Sequence, residues 1–291
     1  MDYIIENEKL RVCVASYGAE MKSIISKEKN REYLWQGDPE IWKEQAPNLF
    51  PYIARMTDGK YTYGGKTYEM KIHGFLKYMD LKGRKDEENR VIFRLEDSDE
   101  TREQYPFKFA VETEYELLGN TVQITYRVEN KDDKTMYFGI GGHPGFQVPL
   151  EEGKKFDDYY LKFEEGIHPE SVVMSEDCFV LGTEPYEMED GRVIRLSHAL
   201  FDHDAVVLKD AGSSVKLKCE GGSSAVTVQF PGMDYFGIWH KPHTEAAYVC
   251  LEPWTSLPSR KGIIEELEKQ ENLLTLEPGK TYVNQWKITI E

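Results

Sequence analysis

Period-two alternation dominates the chain. From Phe107 to Leu117 the odd positions are Phe107, Phe109, Val111, Thr113, Tyr115 and Leu117, while the even ones are mostly charged. Val122, Ile124, Tyr126 and Val128 repeat the pattern after Gly119-Asn120, a favourable hairpin turn. Side chains on a strand alternate between faces, so the segment predicts two paired strands with one dry and one wet face. Shorter runs follow the same rule at Leu10–Val14, Val91–Leu95, Val215–Cys219, Val226–Phe230 and Trp286–Ile290. Helical signals are few. Ile263–Glu268 is one short candidate, and Asp99–Gln104 another, of a single turn.

Many short strands joined by Gly, Asn and Asp turns predict an all-β chain built as a large antiparallel β-sandwich with few short helices. No linker, low-complexity tract or short-period repeat divides the 291 residues, so residues 1–291 are expected to form a single domain. The absence of a βαβ rhythm, of GxGxxG and of GxxxxGK[ST] argues against a nucleotide-binding fold.

The formal net charge of −16 disfavours nucleic acid and anionic membrane surfaces as partners, because both are bound through Lys and Arg. The first residues lack a basic start and a long apolar stretch, unlike a signal peptide. Cys13, Cys178, Cys219 and Cys250 are scattered; Cys13 and Cys219 fall in strand-like runs and are expected to be buried free thiols. A reducing cytoplasm fits this usage.

Four segments depart from alternation and place titratable groups among Gly, Pro and aromatic residues. They are Ala46–Arg55, Lys71–Phe75, Gly139–Phe146 and Tyr248–Trp254. A strand end or loop of that kind is where a rigid sandwich carries a site. Arg55 ends the first; its planar fork of donors would hold a hydroxyl or a phosphate. Gly74 leaves His73 unshielded in the second. Three glycines precede His143 in the third, which suits an imidazole held close to backbone. In the fourth, Glu252 ends an apolar run; desolvation there would raise its pKa and make it a better base. Each group also has a plain structural use, as an exposed Arg, a strand-end His or an acid paired with a surface Lys. Phe201–Asp204 and Trp239–His243 are dense in metal-type ligands, but neither resembles a closed tetrahedral zinc set, and no metal or other cofactor is expected. GxSxG is absent.

Taken in order, Asn48-Leu49-Phe50-Pro51 through Arg55, His73-Gly74-Phe75, His143-Pro144-Gly145-Phe146 and Cys250-Leu251-Glu252-Pro253-Trp254 resemble the aldose 1-epimerase (galactose mutarotase) family, and within it the LacX-like branch. The resemblance implies a supersandwich with a sugar cleft on a concave face, and cofactor-free interconversion of the α and β anomers of an aldose. It implies His143 as general acid and Glu252 as general base, with His73, counted in the catalytic set, and Arg55 binding and polarising the sugar. A family aspartate that holds sugar hydroxyls falls in Leu200–Ala205; Asp204 is favoured because Ala205–Leu208 is strand-like, with Asp202 the alternative. The histidine motif is shorter than in galactose mutarotases proper, which weakens the carry-over of galactose specificity.

Ring opening takes a proton from the C1 hydroxyl and gives one to the ring oxygen. Glu252 is expected to be ionised and His143 appreciably protonated near neutral pH. Phe146 and Trp254 are candidates to stack on the sugar, or to be core. Two alternatives share the fold: a hexose-6-phosphate mutarotase, with Lys71 and Lys77 flanking the His73 motif, and a non-catalytic carbohydrate-binding module. A glycosidase would need two carboxylates, and only Glu252 has a clear site context. The expected partner is a small sugar; the oligomeric state, monomer or homodimer, is open.

Overall fold

In the computed structural model, which describes residues 1–291, the strongest alternating segment forms two adjacent inner strands of a nine-stranded antiparallel sheet. Phe109–Leu118 pairs with Thr121–Asn130 from Phe109 opposite Asn130 to Leu118 opposite Thr121, with Gly119 at φ +61° in the turn. Phe109, Val111, Thr113, Tyr115 and Leu117 are buried, as are Val122, Ile124, Tyr126 and Val128. The outward face is less uniformly wet than the pattern predicts, since Ala110 is fully buried. Thr281–Ile290 continues the sheet beside Thr121–Asn130, followed by Ala225–Gln229, Ser214–Cys219, Tyr159–Phe163 and Val193–Arg195; Arg90–Glu96 and Gly83–Glu87 complete the other side.

A second, eight-stranded sheet carries the segments that broke the alternation. Its order is Val180–Pro185, Glu170–Met174, Val206–Lys209, Tyr235–Trp239, Tyr248–Trp254, Gly141–Gly142 and Asn48–Leu49, and Gly145–Gln147 also pairs with Tyr248–Cys250. A four-stranded sheet is built from Asp2–Glu6, Leu10–Ala15, Met21–Ser26 and Arg31–Glu32. A cluster of 62 buried apolar residues joins these sheets, so hydrophobic burial holds the layers face to face.

Asp99–Gln104 is helical, capped by Ser98, whose hydroxyl accepts from the Thr101 N–H while the Thr101 hydroxyl accepts from the Ser98 N–H. Ile263–Glu268 is not a helix: Ile263 and Ile264 stay 43% and 41% exposed, and only Leu267–Lys269 makes a 3-10 turn. The segment is held instead by Arg260, which donates from its backbone and its guanidinium to the buried Glu265 carboxylate. No helix is long and apolar enough to cross a membrane.

Candidate active site

Strand Tyr248–Trp254 is buried at every position, and its two faces do different things. Val249 and Leu251 enter the main core, while Cys250, Glu252 and Trp254 point to the other side. Glu252 is thereby 1% exposed at the floor of a cavity on the eight-stranded sheet. The neighbouring chain is Gly141–Phe146. Gly141 lies opposite Trp254 and Gly145 opposite Cys250, so the intervening His143 is carried over Glu252. Gly142 is required for that approach, because a Cβ there would lie 2.5 Å from the Trp286 ring.

His143 Nε2 stands 3.1 Å from Glu252 Oε2. Trp42 stacks on the imidazole at 5.1 Å between ring centroids, and Trp239 meets it edge-on at 5.6 Å. His73 presents its ring to His143 at 5.5 Å in a T-shaped arrangement. The backbone N–H of Ala54 donates to His73 Nδ1 at 3.1 Å, which leaves the ring proton on Nε2 as a donor. Residue 73 is itself at φ +64° and Gly74 at +72°; a Cβ on Gly74 would sit 2.2 Å from the Phe50 carbonyl oxygen. This sharp turn packs the His73 segment against Phe50–Arg55.

One cavity brings together Arg55, His73, His143, Asp204 and Glu252. Asp204, not Asp202, faces it; Asp202 is exposed and pairs with His243 at 3.3 Å on the surface. Trp254 lines the cavity, whereas Phe146 is fully buried in the main core and so is not a stacking surface for a ligand. Three contributors lie outside the four segments that break the alternation: Trp42, Trp239 and Cys178. Trp239 and Cys178 line the cavity, and Cys178 donates from Sγ to Asp204 Oδ2 at 2.7 Å.

Burial governs the electrostatics. It pushes the Glu252 carboxyl well above the ordinary carboxylate value, and nearby Asp204 adds to the rise; the Lys77 ammonium and the Trp254 indole oppose it. Burial also lowers His143 to about 3, with Lys77 acting in the same sense, and holds His73 well below its usual value. The rise at Glu252 matches the sequence expectation. The ready protonation expected of His143 does not, because a buried imidazolium loses its hydration. Burial thus works against the charged form of both members of the pair.

Lys77 is buried and paired with Glu44 at 2.8 Å, and Lys71 lies over the Tyr78 ring at 5.1 Å. Neither lysine lines the cavity, so Arg55 is its only cationic side chain. One set of metal-type donors occurs here: atoms of His143, Cys250 and Glu252 lie within 4.8 Å of one another. Burial drives the Cys250 thiol far above its ordinary value, which holds it as S–H beside Glu252. Elsewhere His240 is buried and shares a 3.1 Å bond with His198, while His243, the other histidine of the Trp239–His243 segment, is the surface partner of Asp202. All four cysteines are unpaired, and Cys13 is only half-buried where full burial was expected.

The ordered strands and this constellation define a galactose mutarotase-like fold. The chain belongs to the aldose 1-epimerase family, whose model matches residues 1–285. It is 30% identical to the plasmid-borne LacX protein of Lactococcus lactis subsp. lactis over 289 residues, 95% of this chain and 96% of that one. Among solved structures it is similar to a galactose mutarotase related enzyme from Lactobacillus acidophilus, at 34% identity and a TM-score of 0.95, covering 100% of this chain and 97% of that one. It is also similar to a galactose mutarotase-like protein from Lactobacillus casei, at 29% identity and a TM-score of 0.94, covering 100% of both.

Proposed function

We propose that the cavity binds a cyclic aldose and interconverts its α and β anomers through the open-chain aldehyde, with Glu252 as general base and His143 as general acid. The observation that carries this reading is the 3.1 Å approach of His143 Nε2 to Glu252 Oε2 inside a cavity also lined by Arg55, His73 and Asp204. The C1 hydroxyl and the ring oxygen share one carbon, so the groups that serve them have to be neighbours.

Glu252 removes the proton from the C1 hydroxyl. Its electrons form the C1=O bond, the bond from C1 to the ring oxygen breaks, and His143 delivers a proton to that oxygen. The C1–C2 bond turns, and closure on the other face runs both transfers backwards. No proton is gained or lost overall. The opening step starts with a proton on His143 and ends with one on Glu252, the direction in which burial biases both groups. Sugar hydroxyls, the His73 Nε2–H and Arg55 supply polarity that lets the carboxylate form once substrate is bound. Arg55 and Asp204 hold sugar hydroxyls as donor and acceptor. Acid–base assistance contributes about 10²–10⁴-fold, and positioning supplies the rest.

A phosphorylated hexose fits less well, because a phosphate calls for several cations and the two lysines flanking His73 are committed elsewhere. A non-catalytic binding module would have no use for a buried acid–base pair. The four unpaired cysteines suit a cytoplasmic enzyme. Polarimetry of freshly dissolved α-glucose and α-galactose, with and without protein, tests the reading. If neither sugar, nor any other aldose in a panel, relaxes faster with protein, it fails.

A further inference from the structure

Cys178 and Asp204 are both held at left-handed backbone angles, φ +65° and +75°. Such angles are uncommon outside glycine and are kept where the surroundings demand them. Cys178 sits in the hairpin between Glu170–Met174 and Val180–Pro185, and Asp204 lies two residues before the start of Val206–Lys209, the strand beside that hairpin. The two turns bring Sγ to 2.7 Å from Asp204 Oδ2 at the cavity wall.

The Cys178 turn is anchored on several sides. Its N–H donates to the Ser175 carbonyl at 2.8 Å, and the Phe179 N–H donates to Ser175 Oγ at 3.1 Å. Asp177 is ion-paired to Lys261. The Val180 N–H donates to the Ser259 carbonyl at 3.0 Å, and the Ser259 N–H to the Arg55 carbonyl at 2.9 Å. Cys178, Asp204 and Arg55 are thus parts of one braced unit.

We propose that Cys178 is a positioning residue for substrate: its thiol holds Oδ2 of Asp204 so that Oδ1 is presented in a single orientation to the sugar hydroxyls. This rests on the proposed sugar-binding role of Asp204. Burial and the Asp204 carboxylate push the thiol up to about 12, so it stays S–H at neutral pH and can only donate to the carboxylate. A thiol is a weak donor; it orients the carboxylate without spending its capacity to accept from a ligand.

The test is a double-mutant cycle on sugar binding, read by tryptophan fluorescence because Trp239 and Trp254 line the same cavity. Glucose and galactose serve as probes. Cys178→Ala is expected to weaken binding about 3–10-fold, the size of one hydrogen bond. Cys178→Ser, which restores a donor, should bind within about twofold of the parent. In an Asp204→Ala background the Cys178→Ala change should have no further effect, since the two groups act as one. Where turnover is measured, KM should rise more than kcat falls. The proposal is overturned if Cys178→Ala binds like the parent, if its effect adds in full onto Asp204→Ala, if Asp204→Ala itself binds like the parent, or if the parent binds neither sugar. Binding needs no turnover, so a parent that binds sugar without exchanging anomers sinks the proposed function alone.

Discussion

His143 Nε2 and Glu252 Oε2 stand 3.1 Å apart although 109 positions separate them in the chain (252 − 143), and the register of Gly141 opposite Trp254 and Gly145 opposite Cys250 is what joins them. Both side chains are nearly closed to water, His143 at 11% exposed and Glu252 at 2%. Burial therefore works against the charged form of each.

Replacing Glu252 by Gln keeps the shape and removes the base. Anomer exchange should fall by about 10²–10⁴-fold, while sugar binding changes only severalfold. Because burial already disfavours the carboxylate, the amide should leave the thermal midpoint unchanged or raised. Polarimetry and a melting curve read both effects; full activity in Glu252→Gln would remove Glu252 from the base role.

The depressed His143 has a stability signature. Its ordinary value of 6.5 applies to the unfolded chain and about 3 to the folded one, so between these limits only the unfolded chain binds the proton. The stabilisation is present above pH 6.5 and is lost as the pH falls towards 3, at about 1.4 kcal/mol per pH unit. His143→Asn lacks this term. The stability gap between parent and variant should shift against the parent by about that slope between pH 6 and pH 4. Urea unfolding at stepped pH checks it, and a constant gap would show that the imidazole is not depressed.

Gly74 and Gly64 make a matched pair. Both have positive φ, but a Cβ on Gly74 meets the Phe50 carbonyl oxygen at 2.2 Å, whereas nothing lies within 4 Å of one on Gly64. Gly74→Ala should cost about 2 kcal/mol or more and suppress exchange by displacing His73. Gly64→Ala should cost about 1 kcal/mol and leave exchange intact. Equal costs in denaturant titrations would mean that the Phe50 contact is not limiting.

Sugar phosphates supply the last comparison. With Lys77 tied to Glu44 and Lys71 outside the cavity, glucose 6-phosphate should be exchanged no faster than glucose. Anomer-exchange NMR on both compounds reads this directly. Faster exchange of the phosphate would mean that cations outside the cavity reach the substrate.

Alternation is a local property of the chain, and where it is strong it determined the fold. Phe109–Leu118 and Thr121–Asn130 pair around the turn read at Gly119-Asn120, because a one-residue slip would turn every apolar side chain to water. The four glycine- and proline-rich segments were legible as exceptions to that rule, and their residues reached one cavity. Ile263–Glu268 misled because two adjacent isoleucines carry no helical period on their own; the Arg260–Glu265 bond and exposure decided that segment. Only the tertiary structure could choose Asp204 over Asp202, add Trp42, Trp239 and Cys178, and withdraw Lys77 and Phe146 from the ligand. Those choices depend on pairing between distant strands. The proton of the His143 and Glu252 pair depends on it too, because desolvation is conferred by neighbours that lie far away in the sequence.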